Sequence, residues 1–145
     1  MQPNMKIIMG AAILAASVAA FFIPIAQAAT PYEEFGAKPG ISKVVEDFVS
    51  TVQHDPRING YFVPSQTPRL KYELKQQFCA LLKGPCTYTG KDMKSAHVGM
   101  KITQAAFNAL DEDLNTAMDA NGVPIDAQNY LTGKLAPMEQ PIVTR

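Results

Sequence analysis

The sequence predicts an all-α single domain behind an N-terminal export segment, and three observations predict it. Beyond residue 30, apolar residues recur at helical spacing through most of the chain. Proline and glycine sit at the ends of those runs, where helices start and stop. No stretch alternates polar and apolar residues with period two for long enough to make a strand.

The elements follow in order. Lys6 is the only charge before Glu33, and Ile7 to Ile25 is apolar or small, with Pro24 ahead of Ala26-Gln27-Ala28. A single early charge, an apolar run and small residues at a cleavage position describe a signal peptide, 1–28, leaving a mature domain of 29–145. The alternative is an uncleaved anchor, because about 20 apolar residues also span a bilayer. Thr30-Pro31-Tyr32-Glu33 has the form of a capping box with proline at the first helical position, opening a short helix that ends by Gly36. Pro39-Gly40 is expected to start the second helix. Along it Ile41, Val44, Val45, Phe48, Val49 and Val52 form one continuous stripe, and Asp55-Pro56 ends it.

Thr67-Pro68 reads as the cap of a third helix, with Leu70, Leu74, Phe78, Leu81 and Leu82 on its inner face and a glycine stop at Lys83-Gly84-Pro85. A short helix is expected from about Asp92 to Val98. Thr103 caps the next, whose inner face carries Phe107, Leu110, Leu114, Ala117 and Met118 before Asn121-Gly122 ends it. Val123-Pro124 leads into a last helix from about Asp126 to Leu135.

Charge excludes one class of function. The chain has 13 Lys and Arg against 13 Asp and Glu, and the mature domain without Lys6 stays near neutral, so no basic stripe marks a nucleic-acid binder. Export places the two cysteines, Cys79 and Cys86, where a disulfide persists. A chain reversal after Gly84-Pro85 brings them into bridging range; otherwise Cys79 is a core thiol and Cys86 an exposed one, and the spacing leaves both open. With two histidines far apart, a structural zinc site is not expected.

Taken together, the segments carry a resemblance. Tyr32-Glu33, Phe35-Gly36, Glu46-Asp47-Phe48, Asp55-Pro56 and Tyr61-Phe62 come first. They are followed in order by Gly84-Pro85, Tyr88-Thr89-Gly90, Asp92-Met93, Ala96-His97, Gly99, Ile102-Thr103, Phe107, Gly122-Val123-Pro124 and Ala136-Pro137. This pattern, over nearly the whole mature chain, resembles the truncated haemoglobin family, group I. The resemblance implies a two-over-two helical sandwich around haem b, with His97 as the proximal ligand to the iron. It further implies that Phe62, Leu70, Leu74, Phe78, Met93, Ile102, Phe107, Leu110 and Leu135 wall the haem pocket. Ordinary core packing accounts for the same apolar residues, and periodicity alone does not separate the two. Arg69, Lys71 and Ser65 are the candidates for holding the haem propionates.

The chain also departs from that family. Group I members usually carry a tyrosine late in the second helix and a glutamine over the distal face; the matching positions here are Val49 and Leu74, with Leu70 at the distal gate. Three aliphatic side chains provide no hydrogen bond to bound oxygen. Among substitute donors Tyr61 and Gln77 are placed nearby, whereas Tyr72 points away from the Leu70–Leu74 face on helical geometry. His54 is expected to cap the second helix or face solvent, and Lys75 and Lys71 flank the distal face. The function implied is reversible binding of oxygen, nitric oxide and carbon monoxide for carriage, scavenging or sensing. The alternatives are a nitric oxide dioxygenase or peroxidase-like enzyme, against which the aliphatic distal side argues, and an electron-transfer haem protein with a second axial ligand. The partners expected are diatomic gases and an unidentified reductase, with no nucleic acid, and a membrane only if the N-terminal segment stays attached. The expected location is periplasmic.

Overall fold

The computed structural model describes residues 27–144. The expected signal peptide therefore lies, apart from its last two residues, outside the described residues.

Among the described residues seven α-helices follow one another: α1 Pro31–Glu34, α2 Ala37–His54, α3 Thr67–Leu81, α4 Met93–His97, α5 Gln104–Ala120, α6 Ile125–Leu135 and α7 Glu139–Ile142. Short 3-10 turns at Asn59–Tyr61, Pro64–Gln66 and Ala136–Met138 join them, and the described residues contain no strand. Helix α2 is the centre of the packing, with α3 and α5 against it, while α1 rests on α6 and α4 on α7. Its stripe explains why: Ile41, Val44, Val45, Phe48, Val49 and Val52 are each at most 4% exposed. Burying side chains of this size contributes about 1.5–3 kcal/mol each relative to leaving them in water. Among the described residues no helix is long and apolar enough to cross a membrane.

Several helix ends match the local chemistry. Thr30 and Glu33 form the reciprocal capping box, Asp92 accepts from the Ser95 amide at 3.0 Å, and Thr103 accepts from the Ala106 amide at 3.1 Å. His54 closes the last turn of α2 with Nδ1 2.7 Å from the Ser50 carbonyl.

Three ends differ from expectation. Helix α2 begins at Ala37, ahead of Pro39-Gly40, because Gly36 turns the chain in the left-handed region (φ 83°) and Pro39 falls in the first turn, where its missing N–H costs nothing. Gly40 is needed for closeness: a Cβ there would lie 2.0 Å from the Phe35 carbonyl oxygen. Thr67 is the first residue of α3 and not its cap; its hydroxyl instead accepts from Gln53 Nε2 at 2.6 Å, tying α3 to α2. The left-handed residue that ends α3 is Lys83 (φ 64°), with the Gly84 amide donating to the Cys79 carbonyl at 2.8 Å. Gly84 serves close packing, since a Cβ on it would lie 2.5 Å from the Tyr32 ring and 2.7 Å from Cys79 Sγ.

The cysteines are bridged, with Cα atoms 5.8 Å apart, which decides between the two alternatives left open by their spacing. Cys79, 2% exposed, lies in the core beside Phe78, so the bridge ties the end of α3 to the connection leading to α4.

Candidate functional site

His97 ends α4, a five-residue helix opened by Asp92 and followed by a left-handed turn at Gly99 (φ 78°). Its Nδ1 lies 2.8 Å from the Met93 carbonyl oxygen. A carbonyl only accepts, so Nδ1 carries the proton and Nε2 keeps its lone pair. A half-buried imidazole held in that tautomer is ready to ligate a metal through Nε2.

The residues expected to wall the site fall into two groups. Phe62, Leu70, Leu74, Met93, Phe107, Leu110 and Leu135 are half-buried and packed on the core, each with apolar surface that the fold itself does not cover completely. Phe78 and Ile102, at 2% and 8% exposed, belong to the core beneath it. Val49 is fully buried in the core. Tyr72 is 59% exposed, as its helical position requires.

A cavity of about 230 Å³ lies beside Met93, walled by Gln77, Ala80 and Leu81 of α3 and by Tyr88, Asp92, Met93 and Met138. It is smaller than the roughly 300–1,000 Å³ of pockets enclosing drug-sized ligands, so a larger cofactor also needs the half-exposed apolar residues outside it. Sequence reasoning missed Leu81, Met138 and Tyr88 as cavity residues. Leu81 was legible from its stripe, but Met138 and Tyr88 arrive through turns that carry no periodicity. A second cavity, of about 310 Å³ near Gly36, Lys43 and Gly122, contains none of the expected site residues.

The polar candidates are mostly committed elsewhere. Lys71 and Lys75 both pair with Glu46 of α2, Lys75 at 2.7 Å, and these hydrogen bonds hold the Glu46 carboxyl below the usual carboxylate range. That clamp turns both amines toward α2. Arg69 is a loose partner of Glu73 at 3.8 Å and its side chain is 74% exposed, and Ser65 is exposed. Of the propionate candidates, Arg69 and Ser65 therefore stand free to turn.

Among the described residues no three His, Cys, Asp or Glu side chains converge into a metal cage. The donor set is one neutral imidazole, and the fold offers half-buried apolar side chains in place of further ligands, which would suit an iron whose remaining ligands come from a flat macrocycle. An all-helical domain with such a site defines a globin-like protein.

Comparison with known proteins agrees. Residues 30–144 match the family model for bacterial-like globins. A group 1 truncated haemoglobin of Mycolicibacterium paratuberculosis is 34% identical over 119 residues, covering 82% of this chain and 88% of the relative. One from Tetrahymena thermophila is 32% identical over 97 residues, covering 65% and 78%. Among solved structures, the truncated haemoglobin of Tetrahymena pyriformis in its Fe(III) form superposes with a TM-score of 0.75 at 25% identity, covering 81% of this chain and all, 100%, of that one. The chain therefore belongs to the bacterial-like globin family, among its group 1 truncated haemoglobins.

Proposed function

We propose that this protein holds haem b through His97 Nε2 and binds oxygen, nitric oxide and carbon monoxide reversibly at the iron. The observation that carries this reading is the His97 Nδ1–H bond to the Met93 carbonyl, which leaves the Nε2 lone pair available to a metal. Ferrous haem supplies the centre to which a diatomic gas binds. The chain's own part is to present one imidazole, to surround the cofactor with Phe62, Leu70, Leu74, Phe107, Leu110 and Leu135, and to keep water away. Arg69 and Ser65 are assigned to the propionates.

The distal side selects among ligands. Val49, Leu70 and Leu74 offer no donor, so bound oxygen, which carries partial negative charge, is held loosely relative to carbon monoxide. A loosely held oxygen suits carriage, scavenging or sensing better than dioxygenase chemistry, which needs a long-lived oxygen complex.

We further propose export to the periplasm, with 1–28 removed. The Cys79–Cys86 bridge supports it, since disulfides persist in oxidising compartments and are rare in the cytosol. Reduction of the iron there calls for a separate reductase.

The test is the absorption spectrum of the purified protein, reduced and under carbon monoxide, beside that of His97→Ala. Wild type is expected to take up one haem and form a carbon monoxide complex, and His97→Ala to lose stoichiometric haem. A variant retaining the wild-type ferrous and carbon monoxide spectra refutes the assignment of His97. A six-coordinate low-spin ferrous form without added gas favours electron transfer instead, and fast turnover of nitric oxide by the oxygenated form favours the enzyme.

A further inference from the structure

Gln77 is a polar side chain placed where an apolar one would serve packing better. It lies on α3 three residues beyond Leu74, is 8% exposed, and lines the cavity beside Met93. Its Nε2 is 3.7 Å from Met93 Sδ and 3.6 Å from Met138 Sδ. Thioether sulfur is a weak acceptor, so the amide gives up hydration for two weak bonds. Leucine or methionine would fill the same space without that cost.

What the amide does supply is direction. Met93 is the first residue of α4, and its carbonyl is the group that orients His97. A helix of five residues does not hold its own geometry in water, so its placement comes from what it touches. Its far side packs on α7, and Met138 stands one residue before α7. Among the described residues, the bond from Gln77 to Met93 is the one side-chain hydrogen bond between α3 and α4.

We infer that Gln77 is a positioning residue for His97: by gripping the sulfurs of Met93 and Met138 it fixes the first turn of α4, and with it the carbonyl that holds the imidazole. The inference rests on His97 being the iron ligand. A partner on the second ring nitrogen sets both the orientation and the basicity of the ligating one. Loosening Met93 therefore weakens the iron–histidine bond without removing any ligand.

The experiment compares the haem-loaded protein with Gln77→Leu, Met93→Leu and the double variant, and with Gln77→Met as a second, volume-matched replacement. It reads the iron–histidine stretching band of the ferrous form by resonance Raman, the rate of haem transfer to an excess of apomyoglobin, and the thermal unfolding of each apoprotein. Gln77→Leu and Gln77→Met are expected to shift the band to lower frequency and to speed haem loss about two- to tenfold, the factor one modest hydrogen bond is worth. Their apoproteins are expected to unfold no earlier than wild type, because no buried amide is left to satisfy. The double variant is expected to lose haem no faster than the worse single variant, since both changes remove one interaction. Additive losses, or faster haem loss with an unmoved band, overturn the inference. A wild type with no iron–histidine band refutes the reading of His97 itself, whereas a wild-type band that neither Gln77 variant moves overturns only the role of Gln77.

Discussion

In the proposed haem pocket, Val49 and Leu74 are assigned to the positions where group I relatives usually offer hydrogen bonds. Their environments differ: Val49 is sealed in the core, whereas Leu74 is half-buried on the face of α3. Tyrosine at 49 overpacks at a cost of about 1–3 kcal/mol, while glutamine at 74 nearly conserves volume. Leu74→Gln is therefore the cleaner variant. It is expected to slow oxygen release by roughly 10- to 150-fold, the worth of about 1.5–3 kcal/mol for a donor to a partly charged acceptor, with carbon monoxide release little changed. Stopped-flow displacement measures both; a wild type already as slow as the variant points to another donor, such as Tyr61. Asp113 offers a second residue-scale prediction. Its Oδ2 is buried without a hydrogen-bond partner, and Asp55, Arg57 and Glu112 face it, Arg57 at 3.8 Å but bonded more closely to Asp55 at 2.7 Å. Burial, then the charge of Asp55, pushes the Asp113 carboxyl up. A raised carboxyl contributes stability that is full below its unfolded value and is lost as pH rises through the folded one. Asp113→Asn, neutral throughout, is thus expected to raise Tm at pH 7 and to change it little below about pH 4. Calorimetry at the two pH values checks it.

Helix α4 is the element on which the site depends, and it is short enough that its neighbours hold it. The connection that feeds it, from Leu82 to Asp92, has no helix of its own, and the bridge from Cys79 to Cys86 fastens it to the end of α3. Closing so short a loop is worth about 2.5 kcal/mol in the chain-entropy account. Cys79→Ser with Cys86→Ser is expected to lower stability by about that amount and to speed haem loss, with Phe78 less firmly held. Urea unfolding and haem transfer measure the two effects. In protein purified from an oxidising compartment, two thiols that alkylate without reductant would show that the bridge does not form there. Legibility at this scale was uneven. The six apolar positions of α2 identified that helix from period alone, and Thr30 and Thr103 marked their helix starts by short-range capping chemistry. Lys83 as the left-handed residue was not legible, because the neighbouring glycine was taken up by the close approach of Tyr32 and Cys79, which only packing brings there.

For the whole molecule, cofactor and fold are linked. The half-exposed apolar wall is surface that the apoprotein leaves partly in water, and a ligand bound only by the native state adds its binding free energy to folding. At about a thousandfold excess over Kd this is about 4 kcal/mol, so haem is expected to raise Tm by on the order of 10 °C or more. Calorimetry of the apo and haem-loaded protein decides it, and equal midpoints would show that the wall is not the binding surface. What the sequence by itself determined was the helical class, the order of the main helices and the apolar faces. These rest on spacings of three and four residues or on motifs read along the chain. Tertiary structure alone decided that Cys79 meets Cys86, that Glu46 draws Lys71 and Lys75 toward α2, that Asp113 is buried against Asp55, and that Gln77 reaches Met93 and Met138. The reason is physical: most of these pairings join residues on different elements, and even the short Cys79–Cys86 loop depends on the direction in which the chain reverses. Helical period assigns a side chain to a face, and only the packing of helix on helix assigns that face a partner.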